Sequence, residues 1–212
     1  MTLLVTGSNG LLGHALQECI KSLDVYFATR EDADLTDFEQ TSQLFEKVKP
    51  SSVIHLAALV GGIGSNSQFT GQYFLDNLKI NINVLDLARI YKVRKLVSFM
   101  STCVFPEDGP YPLKPQYLHH GPPHKSNFGY AYAKRMLEVQ SAAYRKQWGM
   151  NYVIAIPSNM YGPHDNFNLL DGHVIPSLIH KVYLAKSSQT DLEVWGTGYP
   201  LREFIYCKDV AK

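Results

Sequence analysis

Three glycines at three-residue intervals, Gly7, Gly10 and Gly13, separate a short apolar run, Leu3-Leu4-Val5, from a stretch with helical spacing over 11–20. A strand that turns through glycines into a helix strongly limits the fold, because the helix must then carry the chain back along the strand. The rhythm repeats. Val25-Tyr26-Phe27-Ala28 reads as a second strand, and 38–48 as a helix with Leu44, Phe45 and Val48 on its apolar stripe. Pro50 ends that helix, and 53–58 forms a third apolar run. A long helix over 73–91 and a strand over 95–100 follow, then a Pro- and His-rich loop over 105–126, a helix over 130–147 and a strand over 152–156. Strands alternating with helices predict an α/β fold: a doubly wound parallel sheet with helices on both faces.

The texture changes near residue 157. Gly162-Pro163-His164-Asp165-Asn166 is loop chemistry, helix resumes over 174–185, and a strand pair, 192–195 and 203–206, brackets Gly196-Thr197-Gly198. The expected division is a nucleotide-binding domain over 1–157 and the start of a second region over 158–212. Residues 209–212 look like the first turn of a helix, so the chain is expected to be truncated at its C-terminus.

The 212 residues carry 45% hydrophobic and 18% charged residues, ordinary values for a globular enzyme. A formal net charge of +1 argues against a nucleic-acid binder. No apolar run approaches the roughly 20 residues that span a bilayer, so no membrane partner is expected. Cys19, Cys103 and Cys207 are too few and scattered for a disulfide framework, which points to a reducing cytoplasm.

Glycines let a backbone approach a pyrophosphate, and the following helix offers free N–H groups and a positive dipole end. Gly7, Ser8, Asn9, Gly10, Leu11, Leu12 and Gly13 are therefore the expected dinucleotide cradle. At the end of the second strand, Arg30 either meets a 2′-phosphate, favouring NADP, or is a solvated surface arginine. Asp34-Leu35 either borders the adenine or starts a helix as its N-cap.

Tyr130 and Lys134 stand four residues apart on one helix, so phenol and ammonium lie one turn apart. The ammonium can favour the phenolate, suiting the tyrosine to proton transfer. Tyr132 competes as a buried neighbour but lacks the spacing to Lys134. A lone Cys103 reads as a small hydrophobe, and a lone His173 as a helix-start residue bonded to nearby backbone. His119, His120 and His124 lack ligand spacing, and no metal is expected.

The glycine turn, His55-Leu56-Ala57-Ala58, Ser101 and Tyr130-x-x-x-Lys134 together resemble the extended short-chain dehydrogenase/reductase family, whose cofactor domain is of the Rossmann type. Further segments narrow the resemblance: Val60-Gly61-Gly62-Ile63, Ser101-Thr102-Cys103, Pro157-Ser158-Asn159, 161–167, Asp171-Gly172-His173-Val174, 194–198 and Arg202-Glu203-Phe204. They are similar to the branch that converts GDP-4-keto-6-deoxy-D-mannose to GDP-L-fucose. That resemblance implies NADP(H) as cofactor, a GDP-sugar substrate and a homodimer built from the two long helices. It implies Cys103 as base and His173 as acid in a 3,5-epimerisation. Ser101, Tyr130 and Lys134 would then serve the 4-reduction. Ala57, Ala58, Pro157, Asn159 and His173 would join the cofactor site, and Asn159, Lys181, Trp195 and Arg202 would face the GDP-sugar. Core packing is the competing reading of Trp195. Asn9 departs from relatives that carry arginine in the turn. A dehydratase would show Asp-Glu where Cys103-Val104 stands. Another nucleotide-sugar epimerase or reductase, and a truncated NADP-binding module without turnover, remain as alternatives.

Overall fold

The computed structural model describes residues 1–21, 24–199 and 201–212. Five strands form one parallel sheet: β1 (Leu3–Thr6), β2 (Val25–Ala28), β3 (Ser52–His55), β4 (Lys95–Phe99) and β5 (Tyr152–Ala155), in the order β2-β1-β3-β4-β5. The register is continuous, with Leu4 beside Tyr26 and Val53, and Val97 beside Ile54 and Val153. The intervening helices are α1 (Leu11–Cys19), α2 (Phe38–Val48), the short α3 (Ile63–Gln68), α4 (Thr70–Ile90) and α5 (Phe128–Trp148).

Strand side chains alternate between faces, so the sheet divides the apolar residues into two cores. Leu4, Val53, Leu96 and Tyr152 pack with Leu44 and Phe45 of α2, Val84 and Leu85 of α4, and Leu137 of α5. Val5, Ile54 and Phe99 pack with Leu12, Ala15 and Leu16 of α1 on the opposite face. This is the doubly wound sheet expected from the alternation. Because β2 and β3 lie on opposite sides of β1, the chain reverses direction there, and a crevice opens beyond the strands' C-terminal ends.

After β5 the chain forms β6 (Asn159–Tyr161), α6 (Val174–Ser188), β7 (Phe204–Tyr206) and α7 (Cys207–Ala211). α7 packs on α1, where Lys208 pairs with Glu18.

The departures from the sequence reading have identifiable causes. The third strand ends at His55, so Leu56, Ala57 and Ala58 lie outside the sheet. They continue as an apolar wall of the crevice, which hydrophobicity alone does not distinguish from a strand. β4 and β5 each stop one residue short of the expected end for the same positional reason. The run 105–126 contains 3-10 turns at Pro115–Tyr117 and Lys125–Asn127, and a third, Thr102–Val104, precedes it. The strand expected over 192–195 does not form. Leu192, Val194 and Trp195 are exposed, and β7 pairs in parallel with β6 instead. Asn159 holds that pairing from both backbone and side chain, each donating to the Glu203 carbonyl.

Candidate active site

The crevice is a cleft of about 490 Å³ running from the glycine turn to α5. All the residues expected in the cofactor cradle line it: Gly7, Ser8, Asn9, Gly10, Leu11, Leu12, Gly13, Arg30, Asp34, Leu35, Ala57, Ala58, Pro157 and Asn159. Gly7 has φ +73°, and a Cβ there would lie 2.6 Å from the Ala57 nitrogen. A Cβ at Gly13 would collide with the Ser8 backbone. The Gly7 contact packs the turn against the chain leaving β3, and the Gly13 contact packs the first turn of α1 against Ser8. The Ser8 hydroxyl donates to the Val5 carbonyl (3.0 Å) and Gln17 Nε2 donates to the Ser8 carbonyl (2.8 Å), so the turn is braced from behind. Among the described residues no side chain caps α1, whose first-turn N–H groups meet the cleft without an acidic neighbour on their own turn. This arrangement fits a dinucleotide pyrophosphate.

Arg30 lies exposed at the cleft edge beyond β2. Asp34 accepts hydrogen bonds from the Thr36 N–H and hydroxyl (both 2.9 Å), which hold its carboxyl below the usual range. The N-cap of α2 is Asp37, which accepts from the Gln40 N–H, so Asp34 does not cap that helix.

Ser101 follows β4, and Tyr130 and Lys134 approach from α5; all three line the cleft. Lys134 is 2% exposed and its ammonium donates to the Phe99 carbonyl at 3.1 Å. Burial lowers its pKa to about 8, with Cys103 opposing. Burial pushes the Tyr130 phenol up, and the nearby Cys103 adds to this. Desolvation of the phenolate opposes the depression expected from Lys134. The phenol therefore stays protonated, the form that can donate a proton. Tyr132 points away, 37% exposed, with the Arg135 guanidinium 5.3 Å from its ring centroid.

Cys103 sits in the turn just after Ser101, partly buried against the main core, and does not line the cleft. Burial pushes its thiol up, opposed by a hydrogen bond with Ser101 and by the charges of Lys134 and Arg135. Arg135, which the sequence reading did not single out, donates from Nε to the Val104 carbonyl and from Nη1 to the Gly121 carbonyl (2.8 Å). It is 3% exposed and ties both ends of the loop after Cys103 to α5. Only its place beside Lys134 in the sequence hinted at this.

His173 precedes α6 and lines the cleft. Its Nδ1 lies 2.8 Å from Asp165 Oδ1, not on nearby backbone, and this contact raises its pKa. Asp171 accepts the Gly62 N–H at 2.6 Å, joining the two glycine- and aspartate-containing segments that are distant in sequence.

The expected GDP-sugar residues divide. Asn159 lines the cleft, whereas Lys181, Trp195 and Arg202 do not. The Lys181 ammonium lies 3.8 Å from the Trp195 ring centroid, so a half-buried lysine and an exposed tryptophan meet each other. Trp195 is 59% exposed and not a core residue. Arg202 donates to the Leu201 carbonyl (2.9 Å). The missing strand at 192–195 leaves this segment without a register that would turn it toward the cleft. His119 and His124 face Glu138 and Glu107 separately.

The family model described as NAD dependent epimerase/dehydratase matches residues 3–212. The chain is 50% identical to the GDP-L-fucose synthase of Dictyostelium discoideum, covering 100% of this chain and 68% of that protein. It is 43% identical to a probable GDP-L-fucose synthase of Drosophila melanogaster, over 99% of this chain and 69% of the relative. Among solved structures, an NADP-bound GDP-L-fucose synthetase from Naegleria fowleri superposes with a TM-score of 0.89 at 43% identity, covering 99% of this chain and 70% of that one. The cleft and these likenesses agree: the chain belongs to the NAD dependent epimerase/dehydratase family.

Proposed function

We propose that this chain catalyses the NADPH-dependent 3,5-epimerisation and 4-reduction of GDP-4-keto-6-deoxy-D-mannose to GDP-L-fucose. The observation that carries the reading is the convergence of Ser101, Tyr130, Lys134 and His173 on one cleft whose far end is a glycine cradle. The names of the relatives, and the NADP bound by the solved neighbour, support the substrate and the cofactor.

The 4-keto group of such a sugar acidifies the protons at C3 and C5, because the carbanion delocalises onto the C4 oxygen. Cys103 acts as base and His173 as acid on the opposite face. Ionisation of the buried thiol draws on the Ser101 hydrogen bond and the Lys134 and Arg135 charges. Ser101 and the protonated Tyr130 hold the C4 oxygen, and Tyr130 then delivers its proton there. Bound NADPH would supply hydride to C4. Gly7, Gly10 and the first turn of α1 would hold its pyrophosphate, Arg30 its 2′-phosphate and Lys134 its nicotinamide ribose.

Residues 1–157 form the cofactor domain in this reading, and 158–212 begin the sugar-binding region, with Asn159, Lys181, Trp195 and Arg202 serving the GDP-sugar. A homodimer through α4 and α5 is supported by Leu75, Ile82, Phe128, Tyr132 and Val139, which are exposed along these two packed helices. Among the described residues no helix is long and apolar enough to cross a membrane. The three cysteines are free, which supports a cytoplasmic setting.

Incubating the chain with GDP-4-keto-6-deoxy-D-mannose and NADPH in D2O tests the reading. Deuterium should enter at C3 and C5 and NADPH should be consumed, with exchange slowed in Cys103→Ser. Unchanged exchange in that variant would remove Cys103 as base. A second reading, an NADP-binding module without turnover, is favoured by the positions of Cys103, Lys181, Trp195 and Arg202, none of which lines the cleft. NADPH binding without consumption would establish it.

A further inference from the structure

Asp165 is a buried acidic side chain in contact with His173, yet the mechanism above does not use it. Its side chain is 3% exposed, whereas the His173 side chain it contacts is 53% exposed. Oδ1 lies 2.8 Å from His173 Nδ1 and also accepts the Asn166 N–H at 2.8 Å. Oδ2 is buried without a hydrogen-bond partner among the described residues. Burying a carboxylate with one oxygen unpartnered costs free energy that a turn formed by residues 165 and 166 does not require. The preceding residue, His164, adopts φ +67° and stacks on His14 of α1 at 4.2 Å, so the loop is pinned to the cofactor side of the fold.

We propose that Asp165 is the positioning residue for His173: it accepts the Nδ1 proton, fixes the ring tautomer and leaves Nε2 as the nitrogen that exchanges protons with the sugar. The inference rests on the reading of His173 as the epimerisation acid. In the neutral ring an Nδ1–H held by Asp165 makes Nε2 an acceptor. In the imidazolium Nε2 carries the proton to be delivered, and the carboxylate stabilises that charge. The charged groups facing the imidazole are Asp165 and Asp171, and both raise its pKa. Asp171 acts through charge, since its carboxylate is engaged by the Gly62 N–H.

An NMR titration of His173 in the full chain with NADPH present tests the proposal without requiring turnover. In the unaltered protein the neutral ring should carry its proton on Nδ1; the Nε2–H tautomer would overturn the proposal even if no variant folds. Asp165→Asn should lower the His173 midpoint by about one pH unit, roughly tenfold in proton affinity, with Asp165→Glu partly restoring it. An unchanged midpoint in Asp165→Asn would also overturn it. In D2O exchange, the alkaline limb of Asp165→Asn should move to lower pH, because the acid is lost at a lower pH. His173→Gln separates the two readings. Undiminished exchange in that variant defeats His173 as the acid, whatever the titration shows. Lost exchange together with an unshifted midpoint in Asp165→Asn defeats only the role of Asp165.

Discussion

The sheet half of the molecule and the segment after residue 157 place their polar residues by different means. Up to β5, each residue of the cleft hangs from a strand end or a helix packed on the sheet. Lys134 is 2% exposed and anchored to the end of β4, and Gly7 is wedged against the start of the chain after β3. Beyond 157, Cys207 is the one hydrophobic core residue among those described, and α6 buries only Pro176. Lys181, Trp195 and Arg202 accordingly sit on the surface. Strand register fixes positions by many backbone hydrogen bonds, whereas a stretch outside the helices and strands, such as 191–199, is held mainly by local contacts.

Substitutions on the two sides should reveal this contrast. Gly7→Ala places a Cβ 2.6 Å from the Ala57 nitrogen in a left-handed backbone conformation, and should cost about 2–4 kcal/mol in chemical denaturation. NADPH binding should weaken with it in equilibrium titration. Arg135→Met removes the donors to the Val104 and Gly121 carbonyls. A loss of about 1–3 kcal/mol is expected, together with faster alkylation of Cys103 as its loop loosens. Lys181→Ala removes the cation–π contact of a half-buried lysine with the exposed Trp195 ring and should change stability by about 0.5 kcal/mol. A loss at Lys181 as large as that at Gly7 would break the comparison, since it would mean that the exposed segment is locked as tightly as the sheet.

Much of the cofactor side was legible in the chain. Glycines at 7, 10 and 13 between an apolar run and a helical period specify a tight turn, because a side chain at Gly7 or Gly13 would collide with backbone. The spacing of Tyr130 and Lys134 placed both at one cleft, since helical periodicity is a local property. The strand ends were less legible. Leu56 to Ala58 are as apolar as a strand, but they form the wall of a cleft, and composition does not distinguish these two uses.

The electrostatics of the centre were not legible. That the Tyr130 phenol stays protonated follows from its burial, and that the Cys103 thiol is pushed up follows from its packing against the core. Neither can be read from neighbours in sequence. The Asp165–His173 contact and the Asp171–Gly62 clasp likewise depend on loops that meet only after the sheet has formed. Local pattern determined the doubly wound sheet, the glycine turn and the Tyr130–Lys134 spacing, because these follow from periodicity and backbone sterics. Tertiary structure alone decided which side chains are desolvated, which charge faces which, and which residues after 157 reach the cleft, because desolvation and long-range contacts exist only in the assembled fold.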